Sequence, residues 1–360
     1  MVRIMKALIT AGGRATRLRP ITYTINKHLI PIANKPMISY ALEKIAAAGI
    51  KDVAININEG DAELKKYLGY GQKWNLRLTY LEQKGGALGL AHIIKNAAEW
   101  IGEDDLLFYL GDNIVMADLK PFIDVFYERN LNALLLLAKV KDPQRFGVPV
   151  IENGRLVRIE EKPANPQSPY AVTGLYFYDK NIMEAVVSLK PSSRGELEIS
   201  DANSFLIEKG LRVGLKEISG WWKDTGKPED LLEGNSLILD KFCQGRILGN
   251  VSPQVIIQGE VAIGSGTKIE GKTIIRGPAI IGENCLIADS YIGPYTSLGN
   301  EVQVIGSEVE NSIVFDKAVI NCGKKIVDSL IGMNALILAE RDSIPSGHKM
   351  LIGDHGVVEI

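Results

Sequence analysis

The ten residues Ala11-Gly12-Gly13-Arg14-Ala15-Thr16-Arg17-Leu18-Arg19-Pro20 combine two glycines with three arginines. Paired glycines let a backbone take positive φ and lie against a ligand with no Cβ in the way. Arginine adds a planar, permanently charged fork that matches phosphate oxygens. Together they describe a phosphate-binding turn, and so many cations suit a triphosphate. The turn carries neither Gly-x-x-x-x-Gly-Lys-Ser/Thr nor Gly-x-Gly-x-x-Gly, so neither common phosphate fingerprint applies. Carboxylates supply the complementary chemistry: Asp112 in Gly111-Asp112-Asn113, and Asp224 in Trp222-Lys223-Asp224-Thr225-Gly226. Two carboxylates are a fitting set for Mg2+, which keeps waters and takes its other ligands from phosphate.

Alternating strands and helices must position these residues. The apolar run Met5-Lys6-Ala7-Leu8-Ile9-Thr10 reads as a buried first strand that delivers the glycine turn. A helix is expected over 37–48, stopping at Gly49, then a strand over 53–57 and a short helix over 61–68 opened by the capping Asp61. A third strand over 76–81, a glycine-bearing loop 85–89 and a helix from about 90 to 100 follow. The continuous apolar strand 106–110 then ends at Asp112. This alternation predicts an α/β fold with a mostly parallel sheet covered on both faces, and ligands at the strands' carboxyl ends. From 133 to about 222 strands mix with loops rich in Pro and Gly, and a last helix runs to about 242.

Beyond that point the pattern changes. Ile263, Ile269, Ile275, Ile281 and Ile287 recur every six residues, then Ile292, Leu298 and Val304 continue after one five-residue step. Glycine follows several of them, at Gly264, Gly282, Gly293 and Gly299. Such hexads each form one side of a coil in a parallel β-helix. Weaker hexads run to Ile331 and Ile337, and the tail after Arg341 is expected to cap the open end.

The glycine turn continues into Asn26-Lys27-His28-Leu29-Ile30-Pro31 and Lys35-Pro36-Met37. Gly-Gly-x-x-Thr-Arg-Leu-x-Pro, Lys-x-Leu-x-Pro and Lys-Pro-Met in this order resemble the sugar-1-phosphate nucleotidyltransferases, and within them most the enzymes that act on glucose-1-phosphate with dTTP. The likeness covers residues 5 to about 238 and takes in Phe146-Gly147-Val148, Glu160-Glu161-Lys162-Pro163, Thr173-Gly174-Leu175-Tyr176 and Pro191-Ser192-Ser193-Arg194-Gly195-Glu196. Ala15 stands where the family usually has glycine, and His28 where it usually has glutamine. The resemblance implies a Rossmann-like nucleotidyltransferase domain over 1–240, a linker over 241–250, a left-handed β-helix over 251–345 and a tail over 346–360.

It also implies the chemistry. A phosphate oxygen of glucose-1-phosphate attacks the α-phosphorus of dTTP, giving dTDP-glucose and pyrophosphate, with Mg2+ held by Asp112 and Asp224. The nucleophile is already an anion, so no general base is needed; positioning and charge neutralisation carry the reaction. The resemblance gives catalytic roles to Arg17, Lys27 and Lys162. Arg17 and Lys27 take the triphosphate, while Lys162 and Arg194 clamp the sugar phosphate. Leu8, Ala11, Gly12, Gly13, Thr16, Gln83, Gly89 and Asp112 complete the nucleotide site, where the Gln83 amide reads the pyrimidine edge and Gly89 admits the base. Asn113, Gly147, Glu161, Val172, Thr173 and Gly174 line the sugar pocket, with Glu161 accepting from sugar hydroxyls. Arg14, Arg19 and Lys35 are left structural or peripheral.

Thymine and uracil differ by one methyl, so UTP or another hexose-1-phosphate remains the nearest alternative. A non-catalytic subunit would not need Arg17, Lys27, Asp112 and Asp224 together. Acyl transfer on the β-helix usually needs a base such as histidine, and none lies between His92 and His348. The β-helix therefore reads as an assembly or regulatory module, and the chain as a homo-oligomer.

At 360 residues the chain is long enough for two domains with substantial cores. With 46% hydrophobic and 23% charged residues and a net charge of −2, it offers no case for a nucleic-acid partner. Cys243, Cys285 and Cys322 are odd in number and widely spaced, which argues against a disulfide framework. No leader pattern precedes the first strand and no run reaches the ~20 apolar residues of a membrane span. The expectation is a cytoplasmic protein without a membrane partner.

Overall fold

A computed structural model describes residues 4–13, 15–83, 85–86, 88–339 and 352–358. Arg14 and most of the residues expected to cap the β-helix lie outside the described residues. The chain divides into two compact units that are not consecutive in sequence. The first comprises Met1–Arg14 and Ile38–Asp224; the second comprises Ala15–Met37 and Thr225–Ile360. Residues 15–37, inside the 1–240 span, and the helix Pro228–Phe242, which begins inside it, thus group with the β-helix.

The first unit is built on a nine-stranded sheet. Its strands are β1 (Met5–Thr10), β2 (Asp52–Ile57), β3 (Arg77–Glu82), β4 (Asp105–Leu110), β5 (Ala133–Lys139), β6 (Gly147–Glu152), β7 (Arg155–Glu161), β8 (Tyr170–Tyr178) and β9 (Val213–Glu217). The spatial order is β7-β6-β8-β4-β1-β2-β3, and β5 pairs with both β8 and β9. Strands β4, β1, β2 and β3 run parallel, as the βα alternation requires. Flanked on both sides, β1 buries Ala7, Leu8 and Ile9 completely. One core gathers Leu8, Phe108, Tyr176 and Tyr178 from the sheet with Ile94, Ala185 and Leu206 from helices Leu90–Asn96, Ile182–Ser188 and Ile199–Glu208. β8 joins this parallel set antiparallel to β4 and carries β6 and β7 on its far side.

Local signals hold at several element ends. Asp61 caps its helix by accepting from the Leu64 N–H at 3.1 Å, and Gly49 takes φ 86° after helix Met37–Ala47. The expected helix over 90–100 is instead two, Leu90–Asn96 and Ala98–Ile101. The Ala97 N–H is shared between the carbonyls of Ile93 and Ile94 at 3.1 Å each, which tightens the turn and breaks the run.

In the second unit, parallel strands stack into three sheets, the arrangement expected of a left-handed β-helix. Ile263, Ile269, Ile275, Ile281, Ile287, Ile292, Leu298 and Val304 all point inward, each at most 1% exposed. Ile263 pairs with Ile281 across one coil of eighteen residues, and Ile281 with Leu298 across one of seventeen. That shorter coil is the five-residue step in the sequence. A Cβ on Gly264 would lie 2.5 Å from the Gly282 carbonyl oxygen of the next coil, so the corner excludes any side chain. The stretch 241–250 already contains the strand Arg246–Ile247, paired with Ala262–Ile263. Ile247 is 51% exposed because the terminal rung has a neighbour on one side only. Among the described residues no helix is long and apolar enough to cross a membrane, and all three cysteines are free.

Candidate active site

Two adjacent strand ends start the site in the first unit. β1 ends at Thr10 and β4 at Leu110, and the Gly111 N–H donates to the Thr10 carbonyl at 3.1 Å. The turn after β1 is pinned by Asn58, which follows the neighbouring β2. Asn58 Oδ1 accepts from the Gly13 N–H at 2.9 Å, and its Nδ2 donates to the Gly13 carbonyl at 3.0 Å. The Gly13 N–H, expected to face a phosphate, is therefore held by a side chain. A Cβ on Gly12 would meet Asn56, Gln83 and Asn58 at 3.2 to 3.3 Å, so glycine leaves three amides room to converge. Gln83 accepts from Asn56 Nδ2 at 3.1 Å and donates to the Gly86 carbonyl at 2.7 Å, which fixes which end of its amide points where.

Asp112 immediately precedes one strand of a two-stranded ladder, and Asp224 ends the other. Asn113–Val115 pairs antiparallel with Trp222–Asp224, and Asp224 stands opposite Asn113. Asn113 is buried and bonded at both ends of its amide: its Nδ2 donates to Asp112 at 2.9 Å, while its Oδ1 accepts from the Gly174 N–H at 3.2 Å and Trp222 Nε1 at 2.6 Å. A Cβ on Gly174 would sit 2.6 Å from that Oδ1. Tyr109 donates to the Asn113 carbonyl at 3.2 Å; burial, then the Asp112 charge, push its hydroxyl far above the usual tyrosine range. No group of three or more His, Cys, Asp and Glu side chains clusters among the described residues as an all-protein metal cage. A carboxylate pair fits a cation that takes its remaining ligands from phosphate and water.

Three of the residues expected to line the sugar pocket form a row across three strands. Gly147 on β6 is the partner of Val172 on β8 and of Glu161 on β7. Glu161 accepts from the Ser200 hydroxyl at 2.6 Å, with Lys162 Nζ 3.3 Å and Arg194 Nη2 3.6 Å from its other oxygen. A Cβ on Gly147 would lie 2.9 Å from the Ser200 hydroxyl, so glycine keeps this floor open. Arg194 is oriented by Glu198, which is buried and accepts from Nε at 3.1 Å and Nη2 at 2.8 Å. Burial, then Glu161, raise the Tyr176 hydroxyl well above its usual range. The rings of Phe146 and Trp222 meet edge to face at 5.2 Å.

Several expected residues have other duties. Leu8 is wholly buried in the core, and Ala11 is buried with its N–H on the Asn56 carbonyl at 2.7 Å. The Thr173 hydroxyl donates to the Leu136 carbonyl at 3.1 Å and the residue is fully buried. The pairing of β8 with β5 slips between Val172 and Tyr176, and this irregularity turns Gly174 toward Asn113. Gly89 has a packing reason: at φ 100° its Cβ would lie 2.4 Å from the Leu197 carbonyl oxygen. Asn56, Asn58, Glu198, Ser200 and Trp222 were not singled out by sequence. Asn58, a polar residue just past a strand's carboxyl end, had the most readable signal.

In the second unit, Thr16 and Arg17 are exposed on the turn Thr16–Leu18, and Lys27 is half-buried on the turn Lys27–Leu29. Asn26 caps the latter, accepting from the His28 N–H at 2.8 Å. Ala15 adopts φ 42°, ψ 43°, the left-handed conformation that glycine enters freely. The Arg19 guanidinium lies 4.8 Å from the centre of the Tyr23 ring, a structural cation–π contact.

A family model described as nucleotidyl transferase matches residues 6–241. Over 358 residues the chain is 43% identical to a glucose-1-phosphate thymidylyltransferase of Streptomyces antibioticus, covering 99% of both chains. It is 40% identical over 357 residues to the enzyme of that name from Streptomyces griseus, again covering 99% of each. A candidate glucose-1-phosphate thymidylyltransferase from Bacillus anthracis, solved in complex with sucrose, is 40% identical with a TM-score of 0.61 and covers 65% of this chain and 94% of that one. The two Streptomyces relatives match through the β-helix as well as the sheet domain. The chain belongs to the nucleotidyl transferase family.

Proposed function

We propose that the protein is a glucose-1-phosphate thymidylyltransferase, joining dTTP and glucose-1-phosphate to give dTDP-glucose and pyrophosphate. The observation that carries the reading is Glu161, held by Ser200 with Lys162 and Arg194 beside it. An acceptor for sugar hydroxyls next to two cations for a phosphate is what a sugar-1-phosphate requires. Full-length similarity to two thymidylyltransferases favours dTTP over UTP.

In this reading Lys162 and Arg194 hold the phosphate of the sugar and aim one oxygen at the α-phosphorus. Arg17 and Lys27 take the triphosphate and offset the charge that grows on the α-phosphoryl group. Gln83 presents donor and acceptor to the pyrimidine edge, in the orientation Asn56 and Gly86 impose. Asp112 and Asp224 would hold the divalent cation, proposed as Mg2+, which supplies electrostatic neutralisation between the two polyanions when bound. A homo-oligomer in solution is part of the same proposal, and a monomer mass by light scattering would remove that part.

The test is pyrophosphate release with Mg2+, crossing dTTP, UTP, GTP, ATP and CTP against glucose-, galactose-, mannose- and N-acetylglucosamine-1-phosphate. Fastest release from dTTP with glucose-1-phosphate is expected. A clear preference for another pair would replace the substrates and keep the mechanism; no release from any pair would overturn the reading.

A further inference from the structure

One side chain in the second unit ties together elements far apart in sequence. Asn235, on helix Pro228–Phe242, is completely buried. Its Oδ1 accepts from the Ala33 N–H at 2.8 Å and from the Ser297 hydroxyl at 2.7 Å. Its Nδ2 donates to the Tyr295 carbonyl at 2.9 Å. A single amide therefore links the hairpin of Pro31–Ile32 and Lys35–Pro36 to the β-helix strand Thr296–Leu298. Asn34, at the tip of the same hairpin, adds a direct bond from its Nδ2 to the Leu298 carbonyl at 2.5 Å.

Both sides of this joint are specialised. Ala33 and Asn34 sit at φ 47° and 59°, the pattern of a two-residue type I′ hairpin turn. Alanine enters that region only against steric resistance, so the tip needs outside support. On the β-helix, side chains alternate inward and outward along each strand. Ser297 lies between the inward Thr296 and Leu298 and should face solvent, yet it is completely buried. Its counterpart one coil earlier, Ile280, is only half-buried. A polar side chain at the covered outward position, aimed at Asn235, marks a specific joint rather than a greasy contact.

The joint leads back to the nucleotide segment by a short, stiff path. The Met37 N–H donates to the Ile30 carbonyl at 3.1 Å, closing the base of the hairpin. The Ile30 N–H in turn donates to the Lys27 carbonyl at 3.1 Å, at the end of the turn that carries Lys27. Ile30 and Ile32 are fully buried, so the path is packed as well as bonded. We propose that Asn235 is a positioning residue for the nucleotide: through Asn235 and Asn34, the β-helix fixes the hairpin and with it the Lys27 turn. The β-helix then forms part of the triphosphate site's framework, beyond any role in assembly. This inference rests on the assignment of Arg17 and Lys27 to the triphosphate.

The test uses the full chain with three substitutions. Asn34→Gly keeps the left-handed tip, which glycine favours, and deletes the bond to Leu298. Asn235→Ala removes the three bonds of its own amide and leaves the Asn34 bond in place, and Arg17→Ala reports on the nucleotide assignment. Steady-state kinetics with Mg2+ are measured for each substrate, with thermal melting and size-exclusion chromatography as folding controls. Asn34→Gly and Asn235→Ala should raise the KM for dTTP about tenfold while the KM for glucose-1-phosphate changes less than about twofold. Folded variants that leave both KM values unchanged, or raise both alike, would overturn the proposal. If Asn235→Ala does not fold, Asn34→Gly decides by the same split. Arg17→Ala with a raised dTTP KM beside a silent Asn34→Gly would overturn the coupling alone. Arg17→Ala with an unchanged dTTP KM would overturn the nucleotide assignment and this inference with it.

Discussion

Asp224 stands opposite Asn113 in the two-stranded ladder of Asn113–Val115 with Trp222–Asp224, one residue along from Asp112. Two aspartates from distant parts of the chain thus fall one ladder position apart just past the end of β4, which suits the cation pair proposed above. Asp112→Ala and Asp224→Asn should each slow pyrophosphate release by about a hundredfold or more, since each removes one of few charges fixed at the reacting phosphates. Melting temperatures should stay close to the parent's. EDTA should abolish release and added Mg2+ restore it. A folded Asp224→Asn protein with the parent's rate would remove Asp224 from the metal pair.

Asn113 depends on the absence of a side chain at Gly174, where a Cβ would lie 2.6 Å from Oδ1 and 2.8 Å from the Leu110 Cβ. Gly174→Ala should therefore push Asn113 off its bonds to Asp112 and Trp222. The expected result is a fall in kcat/KM of about a hundredfold, read in the same pyrophosphate assay. An unaltered rate would mean that Asn113 does not position Asp112.

Glu198 holds Arg194 through two hydrogen bonds while itself buried. Without that fork partner the guanidinium would wander among its rotamers. Glu198→Ala should raise the KM for glucose-1-phosphate about tenfold and leave that for dTTP nearly unchanged. Equal effects on both would point to a general disturbance of the fold.

Ala15 occupies the left-handed region at φ 42°, at a position where the resembling family usually has glycine. Ala15→Gly should relieve that strain. The gain is offset by the greater freedom of glycine in the unfolded chain, leaving at most about 1 kcal/mol. Thermal melting should show a small rise, with activity kept; a clear fall would mean that the Ala15 methyl packs usefully.

β3 is the edge strand that delivers Gln83, and it is fastened to β2 by Arg77, which donates to Asp52 from Nε and Nη2 at 2.6 Å each. This hydrogen bonding holds the Asp52 carboxyl below its usual value. The folded pKa lies under the unfolded one, so the stabilisation is present above the unfolded value and lost as pH falls through the folded one. Asp52→Asn should lower the melting temperature slightly at neutral pH, and the gap should narrow as pH falls below the ordinary aspartate value of about 3.9. A gap that persists unchanged in acid would assign the effect to packing.

Elements with a local period are legible in the sequence. The hexads from Ile263 to Val304 describe a β-helix because each inward position repeats with the coil, and even the five-residue step marks its shorter turn. Asp61 and Gly49 mark helix ends because caps act on their own backbone. Arg17, Lys27, Asp112, Glu161, Lys162 and Arg194 stand out because short motifs carry them, and the structure gathers Glu161, Lys162 and Arg194 around one carboxylate. Harder to read were the residues that hold these in place.

By itself, then, the sequence determined the two architectures and the kinds of groups available for phosphate, sugar and metal, because periodicity and turn chemistry are written over a few neighbouring residues. Tertiary structure alone decided that Asn58 pins Gly13, that Ser200 and Glu198 set Glu161 and Arg194, and that Asn235 joins residues 33, 295 and 297. It also decided that residues 15–37 belong with the β-helix. These pairings link ordinary Asn, Ser and Glu residues across long stretches of chain. Their hydrogen bonds exist only where the folded backbone brings donor and acceptor within about 3 Å, and no local spacing encodes that meeting.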